Sequence, residues 1–281
     1  LQELPGGSTS GAFAAGGRLA EEQGPMQFKS LLCHVPPQAD LAAHVQCAAS
    51  LADEFQATVV GVGAAAVPPF AGRSGGAYAA VDSQWLAILR EQHDMAMEAA
   101  CRVFDAATGD RQKTWRTSWA EPTVALTAAA RGGDLIVVRR PSSSHPDRYT
   151  EVDVGPLVIK AGRPVLVCPS SGSYLSDAPV LVAWKDTREA RRAVADALPF
   201  LQRSCDVLIL ECSSEADPGP AMARIEDIAV ALARHQVTAR TEVLSPAGKT
   251  GEAVLARTVQ LGADLVVAGG YGHTRLGEWA F

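Results

Sequence analysis

The chain has 281 residues, which is about two domains at roughly 150 residues each. Hydrophobic residues make up 47% of it and charged residues 20%, so it has enough apolar side chains for packed cores and is not a wholly disordered chain. Its 25 basic and 31 acidic residues give a net charge of −6, which argues against a general binder of nucleic acid or anionic membranes. No apolar run approaches the roughly 18 residues that span a bilayer, and we expect no membrane partner.

Residues 1–25 differ in composition from the rest of the chain. They are rich in glycine, poor in large apolar side chains, and lack the basic start and apolar stretch of a signal peptide. We interpret them as a disordered tail or leader ahead of a true start at Met26.

The cysteines and histidines show no metal-binding spacing. None of the six cysteines forms a CxxC pair, and the six histidines show no HxxxH or HExxH spacing, so no zinc site is predicted. Several cysteines lie inside apolar runs, which favours buried free thiols and a cytoplasmic protein in a reducing compartment. The six cysteines are Cys33, Cys47, Cys101, Cys168, Cys205 and Cys212.

Eight short apolar runs alternate with longer amphipathic stretches from Met26 onward. Each run has four to seven residues, is rich in Val, Leu and Ile, and is apolar at successive rather than alternate positions. This pattern is typical of strands that are covered on both faces, as in a parallel sheet between helix layers. The runs are Leu31–His34, Thr58–Val62, Asp134–Val138, Pro164–Cys168, Val180–Trp184, Asp206–Leu210, Thr238–Leu244 and Asp264–Ala268.

The stretches between the runs have helical periodicity. Ala221–His235 places apolar residues three and four positions apart, which predicts one buried helix face. Trp85–Phe104, Arg188–Gln202 and Glu252–Leu261 are further predicted helices. Because strand, helix and strand alternate, we predict an α/β fold with doubly wound parallel sheets and right-handed crossovers.

The two halves of the sequence resemble each other, which predicts a tandem repeat. Gly132–Val137 corresponds to Gly262–Val267, 130 residues later, whereas the first strands of the two halves are 150 residues apart. The first half therefore has about 20 more residues between these points than the second half. We place them in a long loop at the Pro- and Gly-rich segment 64–80. We predict domains at residues 26–169 and 178–281, joined by the small polar linker 170–177.

The second half carries a glycine-rich turn where an open parallel sheet binds ligands, beyond the carboxyl ends of its strands. After Asp264–Ala268 the chain reads GGYGHTR from Gly269 to Arg275. Glycines let main-chain amides approach a phosphate closely, and a helix that follows would add its positive end. The turn therefore predicts an anion site.

The segment Asp264–Trp279, DLVVAGGYGHTRLGEW, resembles the carboxyl-terminal signature of the universal stress protein family. The nucleotide-binding members of that family carry Gly-x2-Gly, nine further residues, and then Gly with Ser or Thr. Gly269 and Gly272 match the opening pair, and nine residues follow Gly272 in the sequence. The segment Val180–Ala190 is also similar to the family's first strand and loop.

The resemblance covers most of residues 26–281 and implies a tandem universal stress protein of two flavodoxin-like, Rossmann-like domains with strand order 3-2-1-4-5. It implies a stress-response protein that binds an adenine nucleotide, ATP, or another small ligand between strands 1 and 4 of the second half and acts through conformation or partner binding. Whether Mg²⁺ accompanies the nucleotide stays open.

The nine candidate binding residues have distinct expected roles. Glycines would form the main-chain cradle, Lys185 and Arg275 would offset phosphate charge, and Thr187 would cap a helix and donate its hydroxyl. The full set is Gly269, Gly270, Gly272, His273, Thr274, Arg275, Lys185, Asp186 and Thr187.

Both halves depart from the family pattern. ATP-binding members place an Asp just after the first strand, where this sequence has Lys185, with Asp186 one position later. The first half has no acid in its corresponding loop, and in place of the glycine turn it has RRPSSS at 139–144. Because proline has no N–H and non-glycine residues resist positive φ, we predict that the first half does not bind nucleotide in the family manner and is a structural partner. We interpret Arg139 and Arg140 as a solvated basic loop.

Alternative functions stay open. A nucleotide hydrolase on the same scaffold would use Asp186, the one acid that is obviously placed, and a pure interaction scaffold would bind no small ligand. The sequence contains no convincing catalytic constellation, so a non-enzymatic role is favoured.

The resemblance also implies pairing of the two domains about a pseudo-two-fold axis, and a homodimer is compatible with it. Comparison with Asp134–Pro169 predicts that the natural chain continues about 30 residues past Phe281 by repeat, with a final helix and strand.

Overall fold

The computed structural model describes residues 27–36, 43–67, 83–141, 143, 146–169, 177–246 and 248–270. The predicted tail at 1–25 and most of the predicted linker lie outside this part of the chain. Within it the chain forms two parallel sheets, one from each half, which confirms the predicted tandem α/β architecture. None of the helices in these ranges is both long and apolar enough to cross a membrane.

The first half has the strand order β3-β2-β1-β4-β5, which is the predicted 3-2-1-4-5 order, and every pair of neighbouring strands is parallel. A short 3-10 helix, Ala130–Gly132, follows its third helix. Its elements are β1 (Ser30–His34), α1 (Ala43–Phe55), β2 (Thr58–Ala64), α2 (Ser83–Thr108), β3 (Lys113–Ser118), α3 (Pro122–Ala129), β4 (Leu135–Arg139), α4 (Val154–Ala161) and β5 (Val165–Cys168).

The second half repeats this arrangement over the residues that are described. Its four strands lie in the order β8-β7-β6-β9, which corresponds to 3-2-1-4, and all pairs are parallel. Its elements are β6 (Val180–Trp184), α5 (Arg188–Leu201), β7 (Val207–Cys212), α6 (Gly219–Ala233), β8 (Ala239–Leu244), α7 (Thr250–Leu261) and β9 (Leu265–Ala268).

The central strands are apolar at successive positions because both faces of each sheet are covered. Leu31 and Cys33 of β1 pack in the cluster that contains α1, whereas Leu32 packs on the other face with residues of α3 and α4. Side chains of a strand alternate between faces, so a strand between two helix layers needs apolar residues at every position.

Strand β3 is the strand that the apolar pattern did not predict. Its sequence is KTWRTS, with Lys113, Trp115 and Ser118 partly buried, and among the described strands its neighbour is β2. Its polar residues interrupt the apolar pattern, in contrast to β5, an edge strand whose sequence VLVC is continuously apolar. Its Trp115 lies over β2, where a Cβ added to Gly61 would be 2.6 Å from the ring carbon Cε3 of Trp115.

The two halves contact each other through aromatic side chains. Phe200 of α5 packs with Phe28 and Phe55 of the first half, with ring centroids 5.4 and 5.5 Å apart, and it belongs to the same buried cluster. Arg203 lies beside this cluster, with its guanidinium 4.6 Å from the centroid of the Phe55 ring and its Nε 3.2 Å from a carboxylate oxygen of Glu54.

Candidate functional site

The predicted crevice of the second half lies where β6 and β9 end. The two strands are adjacent and parallel, and their register pairs Ala183 with Ala268. The residues that follow each strand, Lys185 and Gly269, therefore emerge at the same edge of the sheet. This is the edge at which parallel α/β sheets bind ligands.

Thr187 caps the helix that begins at this edge. Its backbone is extended, with φ −135° and ψ 158°, and its side-chain oxygen accepts a hydrogen bond from the N–H of Ala190 at 3.3 Å. The predicted N-cap is thus confirmed. The capped end of α5 presents its positive dipole end at the edge of the sheet, and Glu189 occupies the first turn, as acidic residues commonly do there.

Lys185 and Asp186 differ in their partners. Both side chains belong to exposed residues, and Asp186 forms an ion pair with Arg191 one turn into α5. Among the described residues no carboxylate pairs with Lys185. Within the described part of this crevice Lys185 is therefore a cation available for an incoming anion, whereas the Asp186 carboxylate is already engaged.

Gly269 lies directly on the first turn of α5. A Cβ at this position would be 2.7 Å from the main-chain nitrogen of Ala190 and 3.0 Å from its Cα, so only glycine fits without a shift of the backbone. The structure therefore brings two of the predicted site segments together, the loop with Lys185 and Thr187 and the beginning of the glycine turn.

Gly270 is packed against the first half. A Cβ here would lie 2.1 Å from Cγ1 of Val158 on α4. Both described glycines thus have a packing role of their own, which the sequence interpretation did not include. The other four predicted residues of the turn, Gly272, His273, Thr274 and Arg275, lie outside the described residues.

The first half has a cleft at the equivalent edge of its own sheet. At its base, Nη2 of Arg139 lies 2.8 Å from Oε1 of Glu151, and the two side chains are only 22% and 18% exposed. Arg139 is therefore the last residue of β4 in a half-buried ion pair, not part of a solvated basic loop as predicted. The cleft is lined by His34, Pro36, Arg139, Pro141, Thr150, Glu151 and Val152.

His34 is a buried, neutral group of this cleft. Burial lowers its pKa to about 4, and the charges of His44 and Arg139 act in the same direction, while a hydrogen bond to Ala64 opposes them. Its Nε2 donates to the carbonyl oxygen of Ala64 at 3.3 Å, and Nε2 of His44 donates to the carbonyl oxygen of His34 at 2.6 Å. A polar residue at the end of a central strand is the signal that could have located this cleft.

The two crevices differ in charge. Arg139, the arginine among the described residues that line the first-half cleft, is balanced by Glu151, so an anion bound there would compete with a half-buried ion pair. In the second half Lys185 is exposed beside a helix N-terminus. The second crevice is thus the better candidate for an anionic ligand.

No protein-family model matches the sequence, and no curated protein is significantly similar to it. Solved structures do share its fold. A universal stress protein from Archaeoglobus fulgidus DSM 4304 is 13% identical, with 87% of this chain and 89% of that chain covered and a TM-score of 0.61. Universal stress protein UspA from Lactobacillus plantarum is 20% identical, with 50% of this chain and 98% of that chain covered and a TM-score of 0.39. The chain has the flavodoxin-like α/β fold of universal stress proteins, in tandem.

Proposed function

We propose that this chain is a tandem universal stress protein, a stress-response protein that binds an adenine nucleotide, ATP, in its second half and acts through conformation or partner binding. One observation carries the proposal: Lys185, the Thr187-capped end of α5 and the backbone of Gly269 meet where β6 and β9 end. We further propose that the two repeats are separate domains, residues 26–169 and 178–281.

The electrostatics of the crevice favour phosphate. A helix N-terminus carries partial positive charge on its main-chain amides, and an exposed lysine adds a full positive charge beside it. Thr187 accepts the capping hydrogen bond through its oxygen, and its hydroxyl donates to the Glu189 carboxylate, which a phosphate oxygen would replace as acceptor. We place the phosphates of the nucleotide beside Lys185, Thr187 and Gly269, and the rest of the turn, Gly272 to Arg275, belongs to the same proposed cradle.

The same crevice is less suited to binding the ribose through a carboxylate. Lys185 stands where ATP-binding relatives have an aspartate, and Asp186 is held by Arg191. Affinity should therefore come mainly from the phosphates. A hydrolase would need a free acid or base near the turn, and the engagement of Asp186 disfavours that alternative.

Calorimetric titration of ATP and of adenosine into the full chain tests the proposal. Lys185→Ala should weaken ATP binding by about threefold to tenfold, as expected for one partly solvated charged contact, and should leave adenosine binding unchanged. Lys249→Ala is the matched control, because Lys249 is 73% exposed in the same half and begins a different helix. Absence of ATP binding in all three proteins would instead support a scaffold without a ligand.

A further inference from the structure

Three of the six cysteines converge inside the first half. Cys33 on β1, Cys47 on α1 and Cys168 on β5 are 0%, 4% and 2% exposed, respectively. The sulfur of Cys168 donates a hydrogen bond to the sulfur of Cys47, and the two atoms are 3.1 Å apart. The residues are 121 positions apart in the sequence, so their contact is produced by the fold alone.

The sheet register explains this convergence. Cys33 pairs with Val137 of β4, Val137 pairs with Leu166 of β5, and Cys168 lies two residues further along β5. All four side chains belong to the cluster on the α1 face of the sheet. Cys47 faces the same cluster from α1 and comes to lie against Cys168.

We propose that Cys47 and Cys168 are a redox pair that a small peroxide converts into an intramolecular disulfide joining α1 to β5. Because a disulfide has an S–S distance of about 2.05 Å, the two sulfurs need to approach each other by only about 1 Å. The inference rests on this geometry and is independent of nucleotide binding in the second half.

The reaction needs two thiols and one molecule of hydrogen peroxide. One cysteine loses its proton, and its thiolate attacks a peroxide oxygen to give a sulfenic acid while water leaves. The other cysteine loses its proton and attacks the sulfenic sulfur, which forms the S–S bond and releases a second water. The two thiols together lose two protons and two electrons, and hydrogen peroxide is reduced to two waters.

Burial determines which oxidant can act and how fast. A disulfide of the size of oxidised glutathione cannot reach sulfurs that are 2–4% exposed, whereas hydrogen peroxide is not much larger than water. The hydrogen bond to Cys47, followed by burial, raises the pKa of the Cys168 thiol, so the thiolate is scarce at neutral pH. Oxidation should therefore be slow, selective for small peroxides, and faster at higher pH.

The pair lies close to the first-half cleft. His44 precedes Cys47 by three residues on α1, and its ring donates to the carbonyl oxygen of His34. The proposed disulfide therefore forms one helical turn from His44, whose hydrogen bond to His34 holds the end of β1 at the cleft.

Peptide mapping of the oxidised full chain tests the proposal. The folded protein is treated with hydrogen peroxide or with oxidised glutathione, and its remaining thiols are alkylated in denaturant before digestion and mass spectrometry. Peroxide should remove the Cys47 and Cys168 thiols together from the alkylated set and yield a peptide pair linked through these two residues, about 2 Da lighter than the two free thiols. Oxidised glutathione should not produce this pair, and dithiothreitol should restore all six thiols.

Variants locate the bond. Cys47→Ala and Cys168→Ala should abolish the linked pair, whereas Cys205→Ser should retain it because Cys205 is exposed and lies outside the cluster. Far-UV circular dichroism checks that each variant is folded, and the wild-type map decides the question if a variant is not. A bond through Cys33 or Cys205, sulfinic acid on Cys47 without a cross-link, or Cys47 and Cys168 still reduced after prolonged treatment with excess peroxide at raised pH would overturn the proposal.

Discussion

His34 should make the protein less stable as the pH falls. Burial lowers its pKa from 6.5 to about 4 in the folded state, so between these two values the unfolded chain takes up a proton that the folded chain does not. The contribution of neutral His34 to the free energy of unfolding is therefore fully present above pH 6.5 and decreases as the pH falls towards 4. Proton linkage gives a loss of about 2 kcal/mol from this one group at pH 5.

His34→Gln isolates this effect. The glutamine amide can still donate to the carbonyl oxygen of Ala64 but does not titrate. Denaturant unfolding followed by far-UV circular dichroism at pH 7.5 and pH 5.0 should show that the wild type loses about 2 kcal/mol more than the variant, since other titrating groups act alike in both. His235→Gln is the control for the substitution itself, because His235 is an exposed residue of the second half. Equal losses in the wild type and in His34→Gln would refute the reasoning.

Two further predictions concern the contacts between the halves. Gly270→Ala should cost about 1–3 kcal/mol of unfolding free energy by overpacking, since its Cβ would lie 2.1 Å from Cγ1 of Val158, and Val158→Ala in the same chain should restore most of the loss. A double variant no more stable than Gly270→Ala would contradict this contact. Phe200→Ala should cost about 3–5 kcal/mol, because this ring is buried between two phenylalanines of the first half, whereas Val230→Ala at a 56% exposed position should change stability by less than about 0.5 kcal/mol. Equal effects of these two substitutions in thermal or denaturant unfolding would count against the aromatic contact.

The sequence was most informative where physical constraints are local. Strands covered on both faces were predicted from continuous apolar runs, with ends that differ from the observed ones by one or two residues, as between Asp206–Leu210 and the observed β7. The cap at Thr187 was predictable because a hydroxyl residue directly preceded the helical pattern. Strand β3 was missed because five of its six residues, KTWRTS, are polar.

Features that depend on contacts between distant residues could not be predicted. No local pattern indicates that Gly270 packs against Val158, or that the sulfurs of Cys47 and Cys168 are in contact. Arg139 looked like a solvated loop residue because its partner, Glu151, follows twelve residues later. In each case the contact depends on how helices and strands pack in three dimensions. A pattern of neighbouring residues in the sequence does not show which distant residue will be the partner.

Photolabelling with the γ-azidoanilide of ATP, whose photoreactive group is attached to the terminal phosphate, tests most directly whether the second half is the nucleotide site. The full chain is labelled with and without excess unlabelled ATP, and the modified peptides are identified by mass spectrometry. Label that excess ATP competes away is expected on peptides containing Lys185 to Thr187 or Gly269 to Arg275. Competed label on peptides of the first-half cleft around Arg139 and Glu151, or no competed label at all, would contradict the proposed site.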